Sequence, residues 1–248
     1  ACLVGSEMCI RDRASSTRKI KIDVYIEVDV GMGRCGATSI EQVVALARQI
    51  DQAPYLNFMG LQCYHGSAQH YRLPNERQSA IAAVCAKAAE AKAAVEKAGI
   101  AVERITGAGT GSVMLEGSSS IFNEVQAGSY ILMDRDYAKN QQGASDLTFA
   151  HALFIKTAIL SHPSQGRAVV DAGLKASSVD SGMPLVWQRT DANYLKASDE
   201  HGVLELTAES SLKLGDAIML IPGHCDPTVN LYDEIICVRG DALSLIHI

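Results

Sequence analysis

The sequence lacks any run approaching the ~20 consecutive apolar residues that span a bilayer. Its seven cysteines show neither the close, regular spacing of a small disulfide-stapled domain nor a C-x-x-C pair inside the folded region. A membrane-spanning helix, a secreted disulfide scaffold and a cysteine-built structural zinc site are therefore disfavoured. Excess positive charge is missing too: 22 Lys and Arg stand against 28 Asp and Glu, for a net charge of -6. With no basic field to hold a phosphate backbone, nucleic acid is not an expected partner, and an anionic membrane surface is disfavoured on the same ground. Prolines number only 6, beside 20 glycines, in 248 residues that are 48% hydrophobic. Such ordinary globular composition excludes disorder and collagen and leaves room for one large or two modest domains. A cytoplasmic, reduced protein is the expectation.

The two ends read differently from the rest. Residues 2–13 (CLVGSEMCIRDR) and 243–248 (LSLIHI) resemble translated sequencing-adaptor read-through, so residues 1–13 and 243–248 are set outside the fold. Cys35, Cys63, Cys85, Cys225 and Cys237 remain. The chain is then expected to be a truncated reading frame.

Between these ends, hydrophobic periodicity divides the chain. Residues 20–30 are rich in Ile and Val, followed by a Gly-rich turn and a segment with Ile40, Val43, Val44 and Ala47 on one face, which predicts strand, turn and helix. Thr38 and Glu41 are spaced as a capping box, and Pro54 stands beyond the helix end. Residues 58–64 form the next apolar run. Residues 75–97, Ala-rich and free of Gly and Pro, predict a long helix ended by Gly99. Strands are predicted over 102–106 and 124–133, so residues 19–134 read as successive βα units of a parallel sheet or barrel. Beyond about residue 148 the segments 152–160, 167–171, 202–206 and 235–239 are short, β-prone and separated by turn signals, which predicts an antiparallel β domain. Polar residues 136–147 form the expected linker. The predicted division is thus 14–147 for the partial barrel and 148–242 for the β domain.

Four clusters carry chemistry. Asp29-Val30-Gly31-Met32-Gly33-Arg34-Cys35-Gly36 follows the first strand; its glycines allow close backbone approach, and Arg34 is either a ligand-facing arginine at a barrel rim or a surface side chain. Thr106-Gly107-Ala108-Gly109-Thr110-Gly111-Ser112 opens a short helix at 113–116, where small residues and backbone N–H groups can cradle an anion. Gln62-Cys63-Tyr64-His65-Gly66-Ser67-Ala68-Gln69-His70 offers an aromatic ring and two imidazoles suited to proton transfer near neutral pH. Of these, His65 reads better as a hydrogen-bonded core histidine, and His70 reads equally as functional or superficial. In Pro222-Gly223-His224-Cys225-Asp226-Pro227 an imidazole and a carboxylate two residues apart can point at one divalent ion; two ligands alone also arise by chance.

Together with EVQAGSY, MDRDYA and VVDAGLKASSVDSG, these clusters resemble the pyridoxal-phosphate-dependent D-threonine aldolases, relatives of D-serine dehydratases and of the alanine racemase barrel, over residues 20–240. The resemblance implies an α/β fold: the C-terminal part of a (β/α)8 barrel holding pyridoxal 5'-phosphate, followed by an antiparallel β domain that brings a divalent metal beside it. It implies that Arg34 touches the cofactor ring and Tyr64 packs beside it. Gly109, Thr110 and Gly111 would cradle the phosphate, His224 and Asp226 would hold the metal, and His70, with Tyr64, would act near the substrate hydroxyl. Mn²⁺ is the expected ion, with Zn²⁺ and Mg²⁺ as alternatives. The implied reaction cleaves D-β-hydroxy-α-amino acids to glycine and an aldehyde. One departure stands out: the family's cofactor lysine lies on the first barrel strand, upstream of this chain, so turnover is expected of the parent protein, and a barrel half alone is expected to be poorly stable.

Other functions stay open at this point. A D-serine or 3-hydroxyaspartate dehydratase would use the same scaffold, but the pattern associated with D-serine has Cys where Asp226 stands. A non-catalytic pyridoxal-phosphate-binding homeostasis protein shares the barrel and lacks the metal turn. A structural fragment without chemistry is the third alternative. A homodimer stays open as an assembly.

Overall fold

In the computed structural model, which describes residues 13–143, 146–240 and 242–245, the Ile- and Val-rich segment forms β1 (Ile22–Glu27) with Val24 and Ile26 fully buried. The reading of residues 1–12 and 246–248 as non-native lies outside the described residues. The strands β2 (Leu56–Gln62), β3 (Arg104–Gly107) and β4 (Glu124–Val125) join β1 in a parallel sheet of order β1-β2-β3-β4. Crossovers run through α1 (Ile40–Gln52) and α2 (Pro74–Lys97). Val43, Ala47 and Ile50 of α1 and Ile81, Val84, Ala88 and Ala91 of α2 face the same core as Ile26, Leu61 and Ile105. Each fully buried Ile or Leu contributes roughly 1.5–3 kcal/mol of hydrophobic stabilisation.

The helix cap and the last strand differ from the prediction. Ser39, not Thr38, caps α1: it immediately precedes the first helical residue, so its Oγ accepts from the Gln42 N–H (3.3 Å), while Thr38 N–H and Oγ donate to Gln42 Oε1 (2.9 and 3.1 Å). The strand expected over 124–133 stops at Val125 because its partner β3 ends at Gly107, whose carbonyl accepts the last bond from Gln126 N–H at 2.7 Å; Ser129–Ile131 is a 3₁₀ turn. Within the expected linker, Asp136 and Tyr137 lie in a short helix, α4 (Arg135–Ala138), capped by the Asp134 carboxylate.

The chain divides into two units. The first extends to Gly128 and takes in Asn140–Thr148; the second comprises Ser129–Lys139 and the residues from Phe149 onward. In the second unit, β5 (Ile155–Ser164), β6 (Arg167–Val170), β7 (Leu185–Val186), β8 (Ala192–Ala197), β9 (Gly202–Leu206) and β10 (Ala217–Ile221) form an antiparallel sheet of order β7-β10-β5-β6-β9-β8. Its core gathers Ile159, Val170, Tyr194, Leu204 and Leu220. Strands β11 (Cys237–Arg239) and β12 (Ala242–Leu245) pair as a hairpin. No helix among the described residues is long and apolar enough to cross a membrane.

Between Val24 and Tyr25 the β1–β2 register skips Met59, and Gly60 absorbs the irregularity at φ +152°. A Cβ on Gly60 would lie 1.8 Å from the Arg104 carbonyl oxygen in the neighbouring strand. Gly60→Ala is therefore expected to cost about 3 kcal/mol or more in equilibrium urea unfolding of the chain. Gly99→Ala, at φ +86° with no atom within 4 Å of its Cβ position, should cost only about 1 kcal/mol.

Candidate functional site

The loops after β1 and β2 meet through the side chains of Arg34, Met32 and Tyr64. Asp29 Oδ1 accepts from the N–H groups of Gly31 and Gly33, both at 3.0 Å, and these bonds hold its carboxyl below the ordinary carboxylate range. The turn delivers Arg34, whose guanidinium lies 5.7 Å over the Tyr64 ring and 3.4 Å from Oε1 of Glu27, a buried carboxylate at the end of β1. Met32 packs on Gly66, whose N–H donates to its sulfur at 3.4 Å; a Cβ there would meet the Met32 methyl at 2.6 Å. Arg34 and Tyr64 are thus brought together. His65 is buried, its Nδ1 accepts from Ala68 N–H at 3.3 Å, and burial lowers its pKa. His70 ends the 3₁₀ turn Ser67–His70 and is exposed.

Just before His70, Gln69 is 1% exposed and organises the loop after β3. Its amide donates to Ser112 Oγ (2.8 Å) and accepts from Gly111 N–H (2.9 Å), and its backbone carbonyl accepts from the Asn140 side chain (2.8 Å). Gly109 N–H donates to Ser112 Oγ at 3.4 Å. Gly109 and Gly111 are needed for close approach, because a Cβ would meet the Gln69 side chain at 2.6 Å or its carbonyl at 2.8 Å. Their N–H groups are thus engaged inside the protein. The hydroxyls of Thr106 and Thr110, by contrast, are buried with no partner among the described residues. Two unsatisfied hydroxyls beside a glycine loop fit an anionic group that accepts from them.

Glu116, in α3 (Val113–Gly117), is fully buried and neither carboxyl oxygen has a hydrogen-bond partner among the described residues. Burial pushes its carboxyl up to about 7, against the opposing pull of nearby Ser112 and the Ala108 backbone.

In the second unit the turn at residues 222–227 leads into α5 (Cys225–Val229) and is built by groups outside it. Asp134, fully buried, accepts from Tyr137 N–H through Oδ1 and from Cys225 N–H through Oδ2, both at 2.8 Å. The Pro222 and Gly223 carbonyls accept from the N–H groups of Arg135 (3.0 Å) and Asp136 (3.2 Å). A Cβ on Gly223 would lie 1.9 Å from the Gly182 carbonyl oxygen, so only glycine lets the loop at residues 178–182 lie against the turn. Thr228 Oγ donates to the His224 carbonyl (2.7 Å) and accepts from Ser178 N–H (3.2 Å), joining the same two segments.

The turn brings His224 and Asp226 side by side. Nε2 of His224 lies 3.7 Å from Asp226 Oδ2, too far for a hydrogen bond, while Nδ1 lies 2.7 Å from Asp180 Oδ2. Two donors each about 2.1 Å from one ion can stand up to about 4.2 Å apart, so this spacing fits a shared cation. Burial acts to lower the His224 pKa, but the bond to Asp180 and the charges of Asp180, Asp134 and Asp226 carry it above its ordinary value. Asp180, in turn, is pulled down to about 2: burial opposes ionisation, but bonds from Ser178 and His224 outweigh it. Cys225 is buried, and burial with two adjacent carboxylates holds its thiol well above the ordinary range, so it offers no thiolate. No group of three or more His, Cys, Asp or Glu among the described residues is arranged around a metal position; an ion here would take its other ligands from water or substrate. Gln69, Asp134 and Asp180 lie inside motifs of the sequence and Glu116 ends the predicted short helix, but nothing in the sequence marks a role for them; Asn140 falls in the polar linker.

Residues 2–136 match the family model for the alanine racemase N-terminal domain, and residues 152–238 match that for a putative serine dehydratase domain. The chain is 42% identical over 243 residues to the 3-hydroxy-D-aspartate aldolase of Paracoccus denitrificans (strain Pd 1222), covering 96% of this chain and 62% of that protein. It is 42% identical over 229 residues to the D-threonine aldolase of Arthrobacter sp, covering 90% and 59%. The crystal structure of D-threonine aldolase from Filomicrobium marinum matches at 40% identity with a TM-score of 0.95, covering 99% of this chain and 67% of that one. The chain therefore spans about three fifths of the length of these curated relatives. The expected α/β fold, part of a racemase-type barrel followed by an antiparallel β domain, is borne out.

Glu116 generates a pH prediction. Its folded pKa is raised, so between the ordinary glutamate value and about 7 the unfolded chain binds fewer protons than the folded one, and stability falls as pH rises through that window. Thermal melts of the chain at pH 5, 6, 7 and 8 should show this decline. In Glu116→Gln, which cannot ionise, the slope attributable to this group should vanish.

Proposed function

The chain belongs to the family built on the alanine racemase N-terminal domain, and on that premise we propose that the whole protein is a pyridoxal-phosphate- and divalent-metal-dependent lyase that cleaves D-threonine and related D-β-hydroxy-α-amino acids to glycine and an aldehyde. The observation that carries this reading is the facing pair of His224 Nε2 and Asp226 Oδ2, found in a chain 42% identical to two aldolases of D-configured hydroxy amino acids. Family membership supports pyridoxal phosphate as the cofactor, and the two unsatisfied threonine hydroxyls support a phosphate beside the loop after β3.

When bound, pyridoxal phosphate supplies an electron sink for the carbon freed by Cα–Cβ cleavage, and the metal supplies Lewis acidity toward the β-hydroxyl. The remaining work belongs to side chains of this chain. Thr110, with Gly109 and Gly111 keeping the backbone close, holds the phosphate. Tyr64, with the Arg34 guanidinium over its ring and Glu27 steadying that arginine, would hold the cofactor ring. His224 and Asp226 hold the ion. His70 takes the proton from the β-hydroxyl oxygen as the carbonyl of the aldehyde forms; anchored Gln69 immediately before it fixes where its backbone stands. An imidazole with one carboxylate suits Mn²⁺ or a similar borderline ion. The location expected from composition is the cytoplasm.

A dehydratase on the same scaffold is the second reading, supported by the putative serine dehydratase domain match over residues 152–238. The pattern associated with D-serine dehydratases has Cys where Asp226 stands, which supports the aldolase reading. The same metal turn weighs against a passive cofactor-binding protein.

Product analysis with the whole protein separates these readings. D-Threonine should yield glycine and acetaldehyde while L-threonine yields neither; 2-oxobutanoate and ammonia as main products would move the assignment to the dehydratase. Loss of several kcal/mol of Lewis-acid stabilisation should lower the activity of His224→Ala and Asp226→Ala by roughly 10²-fold or more. Both variants should keep the cofactor absorbance. Thr110→Val should weaken pyridoxal phosphate binding roughly tenfold in a spectroscopic titration, through loss of one hydrogen bond to a charged group.

A further inference from the structure

Asp180 lies 44 positions before His224 in sequence, yet its Oδ2 stands 2.7 Å from His224 Nδ1. It is a held group, not a wandering surface carboxylate. Ser178 Oγ donates to Oδ1 (2.6 Å), Ser181 Oγ donates to Oδ2 (3.1 Å), and the loop closes through the Gly182 N–H to the Val179 carbonyl (3.1 Å). The loop is seated by the Gly223–Gly182 approach and by Thr228, which bonds to Ser178 N–H and to the His224 carbonyl. Loop and imidazole are therefore fixed to the same frame.

We propose that Asp180 is a positioning residue for the metal pair: its carboxylate accepts from Nδ1–H of His224, which fixes the tautomer and ring orientation and leaves the Nε2 lone pair facing Asp226 Oδ2. A carboxylate has only acceptors, so the bond at 2.7 Å requires the proton on Nδ1, and a neutral imidazole then carries its one free lone pair on Nε2. That is the nitrogen 3.7 Å from Asp226. Without Asp180 the ring could turn about its χ2 axis or place its proton on Nε2, and either change removes the donor from the pair. Carboxylate partners of metal-bound histidines typically contribute 10–100-fold in metal affinity. This inference rests on the reading of the turn as a divalent-metal site.

The test uses the full chain and two readouts: Mn²⁺ affinity by calorimetry or electron paramagnetic resonance, and the ¹⁵N shifts of His224 in the metal-free protein at pH 8. Asp180→Ala should weaken Mn²⁺ binding 10–100-fold and shift His224 away from the Nδ1–H tautomer. Asp180→Asn, whose amide oxygen still accepts from Nδ1–H, should keep the tautomer and recover most of the affinity, and it stands in if the Ala variant does not fold. Mn²⁺ affinity within twofold of the parent in Asp180→Ala, with unchanged nitrogen shifts, would overturn the positioning role while leaving the metal site standing. A parent chain that takes up no Mn²⁺ would overturn both the metal reading and this inference.

Discussion

The side chain of Gln69 is the constraint on which the first unit's site depends. Fully enclosed, it donates to Ser112 and accepts from Gly111, so the loops that follow two neighbouring parallel strands are held through one amide. A buried amide left without partners would cost about 1–3 kcal/mol per group, which makes the fit of the glycine loop around Gln69 a condition of folding as well as of function. Glycine at positions 109 and 111 follows from the same contact, since any Cβ would collide with it. The consequence for chemistry is specific. With the glycine N–H groups already used, the hydroxyls of Thr106 and Thr110 are buried beside this loop with no partner among the described residues.

The second unit holds an imidazole and a carboxylate side by side on a short turn, the pair proposed above to take a divalent ion. Asp134 fixes the backbone at Cys225, and the Gly223–Gly182 approach brings in the loop that carries Asp180. Cys225 is buried, and Asp226, 63% exposed at its side chain, accepts from Ser129 Oγ at 3.1 Å. An exposed carboxylate beside an imidazole held by Asp180 would suit the proposed ion if it is also to bind a substrate oxygen.

Much of this was legible in the chain itself. Ile and Val in β1, the apolar face of α1, the Ala-rich run of α2 and the short β-prone segments of the second half gave the order of elements and the change from parallel to antiparallel texture, because these patterns repeat every two or 3.6 residues. Glycine clusters at the strand ends marked the loops, and the His224–Asp226 spacing marked the turn. The errors lay at edges. Ser39 displaced Thr38 as the cap because a cap depends on which residue is last outside the helix, and the strand at 124–133 was cut to two residues because its partner ran out. Strands β7, β8 and β10 went unmarked, being short or weakly alternating, and are held by their neighbours in the sheet.

By itself, then, the sequence determined the fold class, the loops that carry chemistry and the residue types available there, since all of these follow from local periodicity, turn chemistry and spacing along the chain. Tertiary structure alone decided which polar groups are satisfied and which are left over. The partnership of Gln69 with Ser112, of Asp134 with Cys225 and of Asp180 with His224 spans 43, 91 and 44 positions. Burial of Glu116 likewise depends on the surrounding fold. Hydrogen-bond complementarity across such distances has no period and no fixed offset; it exists only once the hydrophobic cores have brought the loops within 3 Å of one another.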